Sequence, residues 1–307
     1  METCSRITQV LAASLLMLFV SACANSPDCD PLPVDVVTSE LLHDDDRRSQ
    51  VDIYAPRNGG PYPLVAFSHG AYSAPERYAV LLRAIAASGF VVVAPLHIDS
   101  ELLTNGQEPP SHTDTWRTRK ADLRLVAEAV PGIEAALAGV KTTAVDDGYL
   151  AAGHSYGAFV AQVLAGATAI GEDARVDRRI KGVIAYSPPG PLPGFIADDA
   201  WDGLAVPQLV VTGTADILPG FLDEWAMHTL PHQRAAAGQQ WLWVGKDVDH
   251  YFGKLIGRLS NDISSQKDQF AEALAVTQQF ALAHSERSAC TTKMVPAKTP
   301  LSTLTRR

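Results

Sequence analysis

Basic charge is scarce in this chain. Its 307 residues carry 25 Lys and Arg against 34 Asp and Glu, for a formal net charge of -9 and a pI near 5.4. Binding a phosphate backbone needs a basic face, and no Lys/Arg cluster offers one, so nucleic acid is excluded as a partner. Long apolar runs are also missing. The stretch Ile7 to Val20 is too short for a comfortable membrane span and fits the core of a signal peptide behind a short n-region containing Arg6. Cysteine is limited to four residues, and no internal repeat is present. Hydrophobic content of 47% with 19% charged residues is enough to bury a large core, which excludes broad disorder.

The apolar stretch ends in Val20-Ser21-Ala22-Cys23. That run resembles a bacterial lipobox, in which cleavage before Cys23 leaves its thiol to carry a diacylglyceryl group. Residues 1–22 are then a lipoprotein-type signal and Cys23 a membrane tether, with Ala24 favouring the outer membrane; an ordinary secretory signal cut after Ala22 or Ala24 is the alternative. The mature chain keeps Cys29 and Cys290, which either pair in an oxidising compartment or remain free thiols. The expected organisation is an N-terminal arm over 23–45, a catalytic domain over 46–285 and a C-terminal tail over 286–307 without order.

Within the domain, apolar strands alternate with helical periodicity. Leu64–Phe67, Phe90–Ala94, Gly148–Ala152, Ile180–Tyr186, Gln208–Val211 and Gln240–Val244 read as strands. Tyr78–Ala87, Trp116–Leu137, Ala158–Ala169, Phe221–Leu230 and Gln266–His284 read as helices, the second bent or split at Pro131-Gly132. Alternation of this kind predicts an α/β fold, doubly wound, with a mostly parallel sheet and helices on both faces. Ligands bind such sheets at the carboxyl ends of the strands.

Gly153-His154-Ser155-Tyr156-Gly157 joins a strand to a helix. In G-x-S-x-G the serine occupies a tight strained turn, and glycines two residues away on each side leave room for it. A chain of this length meets the pattern by accident about one time in ten, so its setting matters. A serine hydroxyl needs a base, and the base needs an orienting group. Asp216 follows the strand Gln208–Val211 and His250 follows Gln240–Val244, giving the chain order Ser, Asp, His. Backbone N–H groups of Tyr156 and Ala71 are the candidate oxyanion hole, with Gly70 permitting close approach.

Other candidates take lesser roles. Asp247 and Asp249 share the histidine's own loop and are poorer orienters than Asp216; His228 and His232 read as solvated surface residues, and His69 as a packing residue. His97 and Asp99 also follow a strand and could line the site, but lack a third ligand for a metal. No cofactor is implied, and no carboxylate pair marks a glycosidase.

With these residues in place, the chain resembles the α/β-hydrolase superfamily from Val51 to His284. It is similar to the dienelactone hydrolase, platelet-activating-factor acetylhydrolase and cutinase-like esterases through Phe67-Ser-His-Gly70, Phe90-Val-Val-Val-Ala-Pro95, Gly153–Gly157, Val211–Asp216 and Asp249-His-Tyr251. Ser155 stands where dienelactone hydrolases proper carry Cys, so the resemblance implies ordinary ester hydrolysis. The segment from Ser187 to Ala205 is too short for a helical lid. Tyr72, Phe195, Trp201, Tyr251 and Phe252 are expected to form an apolar wall, with Ser100–Thr115 as another rim. The expected substrate is a small or lipid-like ester. A lipase or phospholipid acyl-ester hydrolase with the same triad is the second reading, and a non-catalytic, lipid-anchored envelope binding protein the third.

Overall fold

The structure, a computed structural model, describes residues 29–172, 175–258, 264–285, 290 and 293–307. The expected signal over 1–22 and the expected lipidation at Cys23 lie outside the described residues. Leu32–Arg307 is one compact unit, distinct from Met1–Pro31. Cys29 and Cys290 are each disulfide-bonded.

Twelve strands are described: β1 Val34–Leu42, β2 Arg48–Pro56, β3 Gly59–Tyr62, β4 Leu64–Ser68, β5 Val91–Pro95, β6 Val140–Thr142, β7 Tyr149–His154, β8 Ile180–Tyr186, β9 Gln208–Ala215, β10 Gln240–Asp249, β11 Ala297–Lys298 and β12 Ser302–Arg306. Ten form one sheet in the order β1-β2-β5-β4-β7-β8-β9-β10-β12-β11, while β3 pairs with β6 separately. From β5 to β10 every neighbour is parallel. The pairs at both margins are antiparallel.

The helices are α1 Ala79–Ala87, α2 Glu101–Thr104, α3 His112–Glu128, α4 Val130–Ala136, α5 Tyr156–Leu164, α6 Leu230–Arg234 and α7 Lys267–Ala283. Pro131 splits the long helix as expected: α3 ends at Glu128 and α4 restarts with the proline in its first turn. Ser111 caps α3, its Oγ accepting the Asp114 N–H at 3.1 Å. The helix expected over Phe221–Leu230 forms later, as a 3-10 turn at Trp225–Thr229 followed by α6, whose first turn holds Pro231.

Strand alternation explains the two cores. Leu64, Ala66, Val91, Val93 and Ala151 face the side covered by α3 and α5, where Leu123, Val126 and Phe159 are buried. Val65, Phe67, Val92, Ala94 and Leu150 face the side covered by α1 and α7, where Leu81, Ile85, Phe270 and Phe280 are buried. A strand buried on both faces reads as an unbroken apolar run, which is how β5 announced itself.

Both ends of the domain are more ordered than the sequence suggested. Val34–Leu42, assigned to a loose arm, is β1, paired over nine residues with β2. The tail over 286–307 includes β12, which pairs antiparallel with β10 from Gly245↔Ser302 to Trp241↔Arg306. Ser302-Thr-Leu-Thr-Arg306 alternates in burial, with Leu304 entering the core, a period of two too short to stand out among Pro and Lys.

Candidate active site

Ser155 is the single residue between β7 and α5, with φ 53° and ψ -122°. A side-chain-bearing residue at positive φ is strained and persists only where its surroundings fix it. Here the Ser155 N–H donates to the Tyr186 carbonyl at 2.8 Å, and the Ser155 carbonyl accepts from Ala158 N at 3.0 Å. A Cβ at Gly157 would overlap the Ser68 and His69 carbonyls, and one at Gly153 would overlap the Gly157 backbone. Both glycines are therefore demanded by close backbone approach.

Asp216 lies just past β9 and is fully buried. Its Oδ2 accepts from Thr212 Oγ1 at 2.7 Å, and its Oδ1 accepts the Nδ1–H of His250 at 2.7 Å. Burial works to raise the Asp216 pKa, but the neighbouring His228 and His250 outweigh it and hold the carboxyl well below the usual carboxylate range. Among the candidate carboxylates, Asp216 is the one that holds His250. Asp249 instead ties its own loop, accepting from Tyr251 N and Gly253 N at 2.9 Å each.

His228 is a second imidazole on the same carboxylate, and here the surface reading fails: it is fully buried. Its Nδ1 lies 2.7 Å from the Pro188 carbonyl, and its Nε2 is 3.1 Å from Asp216 Oδ1, off the line of a well-directed hydrogen bond. A carbonyl only accepts, so Nδ1 carries a proton, while Nε2 has no hydrogen-bond partner despite its approach to the carboxylate. Burial lowers its pKa, yet the Asp216 carboxylate more than offsets this and raises it overall. His232, on α6, is buried as well rather than on the surface.

His154 links three segments. Its Nε2–H donates to the His250 carbonyl at 2.9 Å, leaving Nδ1 to accept from Tyr78 OH at 2.9 Å. That hydroxyl oxygen accepts the Gly70 N–H at 3.0 Å. Burial first, then His250, push the His154 pKa down to about 3, so the ring stays neutral with its tautomer fixed.

The Gly70–Ser73 segment is a turn closed by Ser73 N to Gly70 O at 3.2 Å, with Tyr72 at φ 61°, the positive φ that a type II turn places third. Gly70 N–H and Tyr72 N–H point inward, the latter to Asp99 Oδ2 at 3.2 Å. Among the described residues the N–H groups of Ala71 and Tyr156 have no protein acceptor.

Ser155, His250, Ala71 and Tyr156 share the lining of one cavity of about 710 Å3. Tyr72, Phe195 and Tyr251 line it too. Trp201 does not, and the sequence placed it wrongly: it is fully buried, its Nε1–H donating to Gln162 Oε1 at 3.0 Å, its ring against Phe159. Phe252 likewise belongs to the core, stacked on Trp243. His97 and Asp99 are buried behind the cavity rather than lining it, in a network with Arg119 and Asp122. From the expected rim only His112 reaches the cavity. Leu218, Phe221 and Arg258, from loops without periodicity, were missed. Arg119 carried a signal: it sits between Trp116 and Leu123 on the apolar face of α3.

A smaller hollow of about 310 Å3 lies at the other end of the sheet, where β7 and β8 begin, beside Tyr149 and Lys181. Asp216, His228 and His250 are also the group that could hold a metal ion among the described residues. Within this group His250 Nδ1 is engaged with Asp216, and His228 Nδ1 with the Pro188 carbonyl.

Parallel sheet, elbow and strand-end loops together define an α/β-hydrolase fold, and a solved structure shares it. The protein described as "Putative Dienelactone Hydrolase" from Klebsiella pneumoniae subsp. pneumoniae MGH 78578 matches with TM-score 0.56 and 18% identity, over 79% of this chain and 98% of that one. The chain is accordingly similar in fold to the α/β-hydrolases. Residues 32–173 match the Chlorophyllase family, a stretch that holds the elbow and the Gly70–Ser73 turn and stops short of Asp216 and His250. No curated protein matches the sequence.

Proposed function

We propose that the protein is a serine esterase. His250 takes the proton of Ser155 as Oγ attacks the ester carbonyl, Asp216 holds the imidazole in the required tautomer, and the N–H groups of Ala71 and Tyr156 receive the oxyanion. His250 then protonates the leaving alcohol, and water, activated by the same imidazole, frees the acid from Ser155. The observation that carries this reading is the strained Ser155 on the wall of a cavity that also holds His250, itself fixed by Asp216 at 2.7 Å. Tyr72, Phe195, Leu218 and Phe221 on that wall favour an uncharged or amphipathic ester. The exposed Phe221 and Tyr72 suit a longer acyl chain, the lipase-like form of the same activity.

Export belongs to the proposal. Disulfide linkage at Cys29 and Cys290 supports an oxidising compartment, and the Val20–Cys23 run supports a lipid tether. No helix among the described residues is long and apolar enough to cross a membrane.

Ser155→Ala decides the central point. Hydrolysis of a short p-nitrophenyl ester should fall by at least about 10⁴-fold, and retained turnover would overturn the assignment. Labelling by a fluorophosphonate, lost in the same variant, separates an enzyme from a binding protein.

A further inference from the structure

We infer that Arg119 is the positioning residue of the oxyanion hole, orienting the peptide whose N–H is Ala71's and bracing the Tyr156 side of the same hole. The inference rests on the esterase reading above and adds to it a buried residue that does not line the cavity.

Three consecutive peptide groups run through the Gly70–Ser73 turn, and Arg119 governs each. In the first, the His69 carbonyl accepts from Arg119 Nη1 at 2.6 Å while the Gly70 N–H is held by Tyr78 OH. In the third, the Tyr72 N–H is held by Asp99 Oδ2, and Asp99 is clasped by Arg119 through Nε to Oδ1 at 2.9 Å and Nη2 to Oδ2 at 2.8 Å. The middle peptide joins the Gly70 carbonyl to the Ala71 N–H. Its carbonyl accepts from Arg119 Nη2 at 3.1 Å, from His69 Nδ1 at 2.8 Å and from Ser73 N at 3.2 Å. In a trans peptide N–H and C=O point in opposite directions, so fixing that carbonyl inward aims the Ala71 N–H at the cavity. Charge-assisted donation to the carbonyl also polarises the peptide and strengthens its N–H as a donor.

The guanidinium lies over the Tyr156 ring as well, 4.9 Å from its centroid. Tyr156 supplies the second N–H, so one buried cation touches both halves of the hole. A planar fork with five donors is what this geometry requires; the ammonium of lysine cannot bridge the two carbonyls and both oxygens of Asp99 together.

The test is Arg119→Lys in the full-length protein, with Ser155→Ala beside it. The expected result is a kcat lower by about 10- to 100-fold, since a misdirected donor costs part of what a deleted one does. KM should stay within about twofold, and affinity for an alkyl boronic acid, whose tetrahedral adduct mimics the oxyanion, should fall by the same factor as kcat. A merely structural role would lower the melting temperature and leave kcat and boronate affinity unchanged in the folded protein, which overturns the inference. If Arg119→Lys does not fold, Asp99→Asn decides: a kcat reduced about fivefold or more at constant KM supports the clamp, and an unchanged kcat overturns it. Activity surviving in Ser155→Ala would instead sink the esterase reading itself, independently of Arg119.

Discussion

Two buried charged clusters flank Ser155, one past the ends of β9 and β10 and the other behind β4 and β5. In the first, Asp216 is approached by two histidines, His250 through a 2.7 Å hydrogen bond and His228 at 3.1 Å, and the carboxylate raises the pKa of His228. In the second, Asp99 is paired with Arg119, and Asp122 accepts from Arg47 Nη1 at 2.6 Å, Ser49 Oγ at 2.9 Å and His97 Nδ1 at 2.8 Å. Its histidines stay neutral: burial, then the charge of Arg119, lower the pKa of both His69 and His97. One cluster gathers imidazoles around a carboxylate, the other is built around guanidinium groups that keep their charge. In the esterase reading proposed above, a proton shuttle and a fixed dipole place opposite demands on buried charge, and the two clusters lie on opposite sides of one serine.

The sharpest way to break this contrast is Asp216→Asn, which offers His250 the wrong hydrogen-bonding partner. It should lower kcat by about 10⁴-fold with the protein folded; near-native turnover would remove Asp216 from the mechanism. Asp122→Asn probes the other cluster. Leaving Arg47 and His97 without their carboxylate should destabilise the fold by about 3 kcal/mol in urea unfolding, while the pH profile of kcat/KM keeps its shape. A displaced profile would mean that the two clusters are not separate in function.

Acid should act on the whole molecule through histidines that stay neutral in the fold, His154 buried and His284 half-buried. His154, with its pKa pushed down to about 3, and His284, down to about 4, take up protons on unfolding before they do in the fold. The unfolded chain then binds more protons, so stability falls as pH drops from about 6.5 toward 4, by at most about 1.4 kcal/mol per pH unit for each such group. His228 opposes this, since its raised pKa contributes stability in acid that is lost as pH rises through that value. A urea midpoint lower at pH 5 than at pH 7 confirms the balance; a higher one gives the His228–Asp216 pair the larger share. The smallest effect is expected at the rim. Phe221→Ala should raise KM for a p-nitrophenyl octanoate by roughly threefold to tenfold, the loss of part of one apolar side chain's burial, and leave the acetate unchanged.

What the sequence conveyed follows from how local each signal is. Ser155, Asp216 and His250 stand directly after apolar strands, and β8 coincides with its expected span, because strand-end placement needs only the run itself. His228 was misread since nothing in Trp225–Thr229 announces that a 3-10 turn would carry it under the Ser187–Pro188 loop onto Asp216. Trp201 was misread for the opposite reason: an aromatic beside a proline loop looks like a wall until Gln162 is seen waiting for its N–H. The partner of β12 is 57 positions away at the register Gly245↔Ser302, and no pattern within either strand predicts that pairing.

Gly153 and Gly157 hold no proton, touch no substrate and carry no charge, yet neither position has space for one added carbon. In a saturation mutagenesis screen read out by activity, these two sites should therefore be as intolerant as Ser155 itself. An observer ranking positions by mutational cost alone would count them among the chemical groups. Only rescue behaviour tells them apart: a compensating change in the Ser68–His69 backbone path could in principle restore a tolerated alanine at Gly157, whereas no neighbour can replace a missing hydroxyl.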